Sequence, residues 1–321
     1  MQYPEFSAAP GLSNPHLQTI VSSVGRKALD RDDEPVVRQA RTQVFDTKGV
    51  KLQVDITLTG DRVDNAPLLI LIPGWMGNSN SGYVRSAARC FYAAGYHVAR
   101  INLRDHGDTT ALNPGLFNSA MIEEVIALVS RLRRQFGTHG AALIGYSLGG
   151  NFALRIARAL PDLAVLAVCP ALDPASTMFS IDRQTVYRRY FLRKWHRAWQ
   201  AKQAAFPNLY DFSPAYRLTS VATLTDYFIK HHTDFLDVDA YFAAYDLTGS
   251  ALRGVDVDII AAADDPIIPI DDFRHLPNGP RLRITRSGGH GAYIENWRLD
   301  SWLDGYALAL FDARLGRGYQ A

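Results

Sequence analysis

Gly145-Tyr146-Ser147-Leu148-Gly149 reads G-x-S-x-G, a spacing that can present a serine hydroxyl for nucleophilic attack. The pattern alone is common in a chain with 24 glycines, so its flanks decide the matter. An apolar run at 141–144 leads in and a helix-like run at 151–160 leads out. A serine on a sharp turn between strand and helix takes a strained backbone and points its hydroxyl out of the sheet. Side chains at 145 and 149 would collide where strand and helix cross closely, so glycine suits both positions.

A serine hydroxyl is a weak nucleophile and needs a base. Among nine histidines, His290 stands out, because Ser287-Gly288-Gly289-His290-Gly291 directly follows the last strand-like run. Glycines on both sides let that loop bring the imidazole back over a sheet. The base in turn needs a carboxylate to fix its tautomer and stabilise the imidazolium. Asp264-Asp265-Pro266-Ile267-Ile268-Pro269 follows a strand at 257–262. Asp265 fits the D-x-apolar-apolar-Pro arrangement and is favoured as the acid. Asp264 is the alternative, or else caps the loop. The oxyanion of a tetrahedral intermediate needs two N–H donors. Leu148 supplies one, and the loop Pro73-Gly74-Trp75-Met76-Gly77 the other, through Trp75 first and Met76 second. Trp75, Met76 and Tyr146 are the candidate substrate-binding residues.

These groups need rigid elements to hold them. Strand-like residues at 36–58 flank the turn Asp46-Thr47-Lys48-Gly49 and predict a β-hairpin. Strands at 68–72, 96–102, 141–146 and 163–169 then alternate with helices at 83–94, 120–136 and 148–160. The alternation breaks over 174–250 and resumes with strands at 257–262 and 281–285 and a helix at 297–315. This order predicts an α/β fold with a mostly parallel central sheet and helices on both faces. Residues 1–35 read as an N-terminal arm, 36–173 and 251–321 as the core, and 174–250 as a helical cap insertion. Ligands bind outside the carboxyl ends of such strands, where Ser147 falls.

Composition excludes several functions. A net charge of +2 gives no global pull towards nucleic acid. No apolar run approaches the roughly 18 residues of a membrane span, and the N-terminus does not read as a signal peptide. A cytoplasmic protein is the expectation, with room left for peripheral membrane contact. Two cysteines, Cys90 and Cys169, read as buried apolar residues of a reducing compartment. No glycine-rich nucleotide motif occurs, so no cofactor is expected. His231-His232 with Asp234 and Asp237 lacks the one-turn spacing of a helical zinc site and reads as a polar cap loop, so no metal is expected. Tyr187, Phe191, Trp195 and Trp199 recur every fourth residue, with Arg189, Arg193 and Arg197 opposite. That amphipathic helix packs its aromatics on the body, lines an acyl tunnel, or lies on a lipid surface. His106 reads as a structural loop residue, although its loop passes near the site mouth.

Together these residues resemble the α/β-hydrolase superfamily over about 36–315. A narrower likeness is to its YheT-like, or abhydrolase-4, group, which includes mammalian esterases and lipases and EMB8-like plant proteins. It rests on Asn14-Pro15-His16-Leu17-Gln18-Thr19, Gly74-Trp75-Met76-Gly77-Asn78-Ser79, the G-x-S-x-G run, Tyr187 to Leu192, Asp264-Asp265-Pro266 and Gly289-His290-Gly291. His16 is read as tying the arm down. Two stretches depart from the pattern: Pro73 stands where a histidine is usual, and Arg104-Asp105-His106-Gly107 replaces a more usual arginine–glycine run. The resemblance implies a serine carboxylesterase or lipase that takes a small-molecule acyl ester. A thioesterase, acyltransferase or amidase would use the same triad, and a binding protein could keep the same fold. Dehalogenation is disfavoured, since it needs a carboxylate where Ser147 stands.

Overall fold

The computed structural model describes residues 3–25, 34–60 and 66–317 of 321. The rest of the expected arm, 1–2 and 26–33, lies outside the described residues. The arm packs Phe6, Ala9 and Leu12 on the body before its first helix, α1, Pro15–Ile20. Pro15 occupies the first turn, where a missing N–H costs nothing, and the Asn14 side chain accepts from the N–H groups of His16 and Leu17. A π-helical turn, Val21–Gly25, follows.

Pro35 starts a short helix, α2 (Pro35–Arg38), so the hairpin opens at 41 and not at 36. Strands β1 (Arg41–Thr47) and β2 (Val50–Thr57) pair antiparallel around Lys48-Gly49. The chain continues through β3 (Leu68–Ile72), α3 (Gly82–Ala93), β4 (His97–Ile101), α4 (Glu123–Phe136), β5 (Ala141–Tyr146), α5 (Leu148–Ala159) and β6 (Ala164–Val168). Four helices come next: α6 (Pro174–Arg183), α7 (Thr185–Ala205), α8 (Val221–His232) and α9 (Val238–Ala243). Strand β7 (Asp258–Ala262), β8 (Arg281–Thr285) and α10 (Trp302–Arg314) close the fold. Helix α10 starts five residues later than the sequence predicts. Residues 290–301 turn back on themselves through an Ile294–Ser301 bridge, which leaves Trp297 two-thirds exposed.

The eight strands lie in the order β1-β2-β4-β3-β5-β6-β7-β8. Only β2 runs against its neighbours; β3 to β8 are mutually parallel. Strands buried on both faces read as continuous apolar runs, and Leu68 to Ile72 is one. Leu68, Ile70 and Ile72 face a core with α4 and α5, while Leu69 and Leu71 face one with α3 and α10. Helices α6 to α9 have no separate core. Their buried Tyr187, Phe191, Trp195, Trp199, Leu224 and Phe228 belong to the same cluster as α5 and the sheet. Arg189, Arg193 and Arg197 are exposed, as the amphipathic pattern requires.

The crossing of β5 and α5 sets the tightest packing. A Cβ on Gly145 would lie 2.0 Å from the Gly149 carbonyl oxygen, and one on Gly149 would lie 2.3 Å from that of Pro73. Neither neighbour is a side chain that can swing away. We expect Gly149→Ala to cost about 3 kcal/mol or more of unfolding free energy, measured by urea denaturation. Gly249→Ala, at φ +61 with nothing within 4 Å, should cost only about 1 kcal/mol of backbone strain.

Candidate active site

Ser147 sits between β5 and α5 at φ 55, ψ −117, a region that non-glycine residues rarely occupy. The turn is fixed by the Ser147 N–H donating to the Val168 carbonyl (2.9 Å) and the Asn151 N–H donating to the Ser147 carbonyl (3.1 Å). The Asn151 side chain ties the region further, donating to the carbonyls of Ala171 and Tyr245 at 2.8 Å each. Leu148 opens α5, and the first N–H groups of a helix have no partner within it. Its N–H therefore belongs to the positive end of the helix dipole, beside Ser147.

The loop after β3 lies against this turn. A Cβ on Gly74 would stand 3.2 Å from the Ser147 Cβ. The Gly74 N–H donates to the Tyr83 hydroxyl (3.0 Å), which burial pushes up to about 12, so it stays a phenol. Met76 takes a positive φ of 57 and the Gly77 N–H donates to the Gly74 carbonyl (2.9 Å). The Trp75 ring stacks on Phe191 at 5.1 Å and meets Trp195 edge-on at 5.1 Å. Behind the loop is a buried polar network. Arg100 donates to the Ser79 carbonyl (2.9 Å), Ser79 donates its hydroxyl to Asp55 (2.6 Å), and the Ser79 N–H donates to the Asn102 side chain (2.7 Å). Sequence reading treats 96–102 as an ordinary apolar strand and has no signal for this network.

The structure separates the two candidate acids. His290 Nδ1 lies 2.9 Å from Asp265 Oδ2 and 3.2 Å from Oδ1. Asp265 Oδ1 also accepts from the N–H groups of Ile267 (2.7 Å) and Ile268 (3.0 Å), which set the carboxylate's orientation. Asp264 instead accepts from the Gly289 N–H at 3.0 Å, and burial raises its carboxyl above the usual range. Cys169, at the end of β6, completes a trio with Asp265 and His290 whose ligand-type atoms lie within 4.8 Å of one another. Burial and the neighbouring Asp265 push the Cys169 thiol well up, so it stays an S–H. His231 and His232 end α8; His232 packs among Trp199, Tyr210 and Phe212.

Two cavities meet at Ser147, Trp75 and Met76. One, of about 120 Å³, runs under α6 to α9 and is walled by Leu116, Met178, Ile181, Trp195, Phe228 and Phe242. The other, of about 470 Å³, opens between the arm and α7 and holds His290, Tyr146, Thr19, Ser22, Ser81 and Tyr187. Phe191 borders both, while Trp195 and Trp199 border the first, so the α7 aromatics pack and line at once. Among the residues lining the apolar cavity, Lys202 and Asp105 form a buried ion pair (2.7 Å) linking α7 to the loop after β4. Lys202 also donates to the carbonyls of Asn113 (2.7 Å) and Gly115 (2.9 Å), which makes burial of its ammonium tolerable.

A family model described as alpha/beta hydrolase fold matches residues 67–296. The embryogenesis-associated protein EMB8 of Picea glauca is 22% identical over 314 residues, covering 89% of this chain and 66% of that protein. The chain thus spans just under two thirds of that relative. YheT of Escherichia coli (strain K12), named as a candidate esterase, is 26% identical over 340 residues, covering 95% of this chain and 94% of YheT. The Pyrococcus furiosus esterase Pf2001 aligns with a TM-score of 0.57 at 14% identity, covering 89% of this chain and 95% of that one, a likeness of fold. Among the described residues no helix is long and apolar enough to cross a membrane.

His106 borders the apolar cavity and is 2% exposed. Its Nδ1 faces the Arg104 carbonyl at 2.8 Å and so carries the proton, and burial lowers its pKa from 6.5 to about 4. Between those values the unfolded chain binds a proton that the folded one refuses. Stability from this group is therefore whole above about pH 6.5 and is lost as pH falls towards 4. Urea denaturation should show about 2 kcal/mol less stability at pH 5 than at pH 7.5 from His106. His106→Gln should remove that part of the slope.

Proposed function

This chain belongs to the alpha/beta hydrolase fold family, and we propose that within it the protein is a serine carboxylesterase, lipase-like in its apolar site. The observation that carries this reading is the His290–Asp265 pair at 2.9 Å, on the same cavity wall as a serine held at φ 55. Ser147 attacks the ester carbonyl as His290 takes its proton. Asp265 holds His290 with Nδ1–H inward, leaving Nε2 free for that proton, and stabilises the imidazolium. The N–H groups of Leu148 and Trp75 receive the oxyanion, where the α5 dipole also favours negative charge. His290 then protonates the leaving alcohol, and water activated by His290 releases the acid. None of these steps calls for a metal or cofactor.

The two cavities divide the substrate. A general acid must reach the leaving oxygen. His290 borders the larger, hydroxyl-bearing cavity and not the apolar one, so the alcohol belongs in the former and the acyl chain in the latter. Helices α6 to α9 roof the apolar cavity and act as the cap over 174–250.

A fluorophosphonate probe tests the reading directly. Wild type should label and Ser147→Ala should not. On p-nitrophenyl esters, Ser147→Ala or His290→Ala should lower kcat by about 10⁴–10⁶-fold. Asp265→Asn should cost less than Ser147→Ala, and Asp264→Asn less than Asp265→Asn. A folded wild type that neither labels nor turns over any ester of the series would make the protein a binder on a hydrolase fold. Greater damage from Asp264→Asn would reassign the acid.

A further inference from the structure

The loop that carries His290 is poorly suited to holding anything still. Gly288, Gly289 and Gly291 all have positive φ (153, 57 and 66), and glycine leaves a backbone its greatest freedom. The bond to Asp265 fixes the ring, but the ring is no better placed than the backbone beneath it. That backbone is held by the Gly289 N–H bond to Asp264 (3.0 Å), by the Gly291 and Ala292 N–H groups donating within the turn to the Gly289 and Gly288 carbonyls (3.0 and 3.1 Å), and, from outside the sheet, by α1.

Thr19 Oγ1 accepts from the His290 N–H at 3.0 Å and donates to the Pro15 carbonyl at 2.8 Å. Gln18, 1% exposed, donates through Nε2 to the Ile294 carbonyl (3.1 Å) and accepts on Oε1 from the Ile294 N–H (2.9 Å), as a paired strand would. A Cβ on Gly289 would lie 2.8 Å from both the Pro15 carbonyl and Thr19 Oγ1, so helix and loop are in direct contact. On the other side, His16 Nδ1 meets the Tyr187 hydroxyl of α7 at 3.0 Å. The helix is thus wedged between the cap and the histidine loop. None of this is required to complete the sheet, whose strands begin at Arg41.

We propose that Gln18 and Thr19 are positioning residues, which hold the His290 loop at the separation from Ser147 that proton transfer needs. The inference rests on the reading of His290 as the base. Neither residue acts on a reacting atom. Their effect runs through the His290 backbone, and a misplacement of about 1 Å can cost about 100-fold in rate. The Asn-Pro-His-Leu-Gln-Thr run at 14–19 then has a physical role: Asn14 and Pro15 start the helix, His16 reaches the cap, and Gln18 and Thr19 reach the loop.

Thr19 also borders the larger cavity, whereas Gln18 borders neither, so the two residues separate positioning from substrate contact. Steady-state kinetics on a p-nitrophenyl ester should be compared for wild type, Thr19→Val, Thr19→Ser, Gln18→Leu and His290→Ala. Each should be assayed well below its unfolding midpoint, with the folded fraction measured by circular dichroism. Thr19→Val and Gln18→Leu should lower kcat about 10–100-fold with KM within about threefold. Thr19→Ser, which keeps both hydrogen bonds, should recover to within about threefold of wild type. Should Thr19→Val fail to fold, Thr19→Ala loses the same bonds without adding a methyl group to the contact. Folded variants of normal kcat beside an inactive His290→Ala would overturn the positioning role and leave the base intact. Raised KM at unchanged kcat in Thr19→Val alone would make Thr19 a substrate contact and also overturn it. An active His290→Ala would sink the base assignment itself.

Discussion

The close crossing of β5 over α5 is the constraint from which the rest of the site follows. With no side chain at 145 or 149, the helix starts within contact of the strand and of the backbone at 72–73. The chain must then turn in a single residue, and Ser147 takes the positive φ that such a turn demands. Left-handed backbone in a non-glycine residue persists only where its surroundings over-determine it. Here they do, through hydrogen bonds to β6 and to Asn151, and through the Gly74 loop pressed against the serine. The same proximity that strains Ser147 also presses the loop after β3 against it.

Around that point the protein holds its loops by two different means. The loop after β3 is backed by buried polar groups on rigid elements: Arg100 and Asn102 at β4, Asp55 on β2 and Tyr83 on α3. Buried charge is costly unless paired, and each of these groups has a partner that faces the loop. The loop after β8 is held by groups on other loops and on the arm. Its glycines make it compliant, and its ties come from Asp264, from Asp265 and from α1 at the far end of the chain.

The helices that roof the apolar cavity have the same character. Helices α6 to α9 share their aromatic cluster with the sheet, so the roof of the apolar cavity is part of the fold's core. Lys202 and Asp105 pin it at one end and His16 with Tyr187 at the other. A residue such as Trp195 therefore packs on Trp75 and Trp199 while presenting its remaining surface to the cavity. Packing and lining, which look like rival readings of one amphipathic helix, are served by the same side chains.

By itself the sequence determined whatever depends on near neighbours. Alternating apolar runs and helical stretches determined an α/β fold, because burial on both faces of a parallel sheet writes itself as period and run length. The strand, the turn glycines and the helix around Ser147 are contiguous, so their mutual steric demand is legible within ten residues. Tertiary structure decided the contacts that cross the chain. Asp264 and Asp265 are adjacent and chemically alike, and only the path of their loop turns one to the His290 ring and the other to Gly289. Gln18 meets a partner 276 residues away, so no local pattern reveals its bond. Arg100 and Lys202 look like ordinary surface charges until the fold buries them. Local sterics fix where a serine can stand; the cavities that meet at it exist only once distant segments have closed.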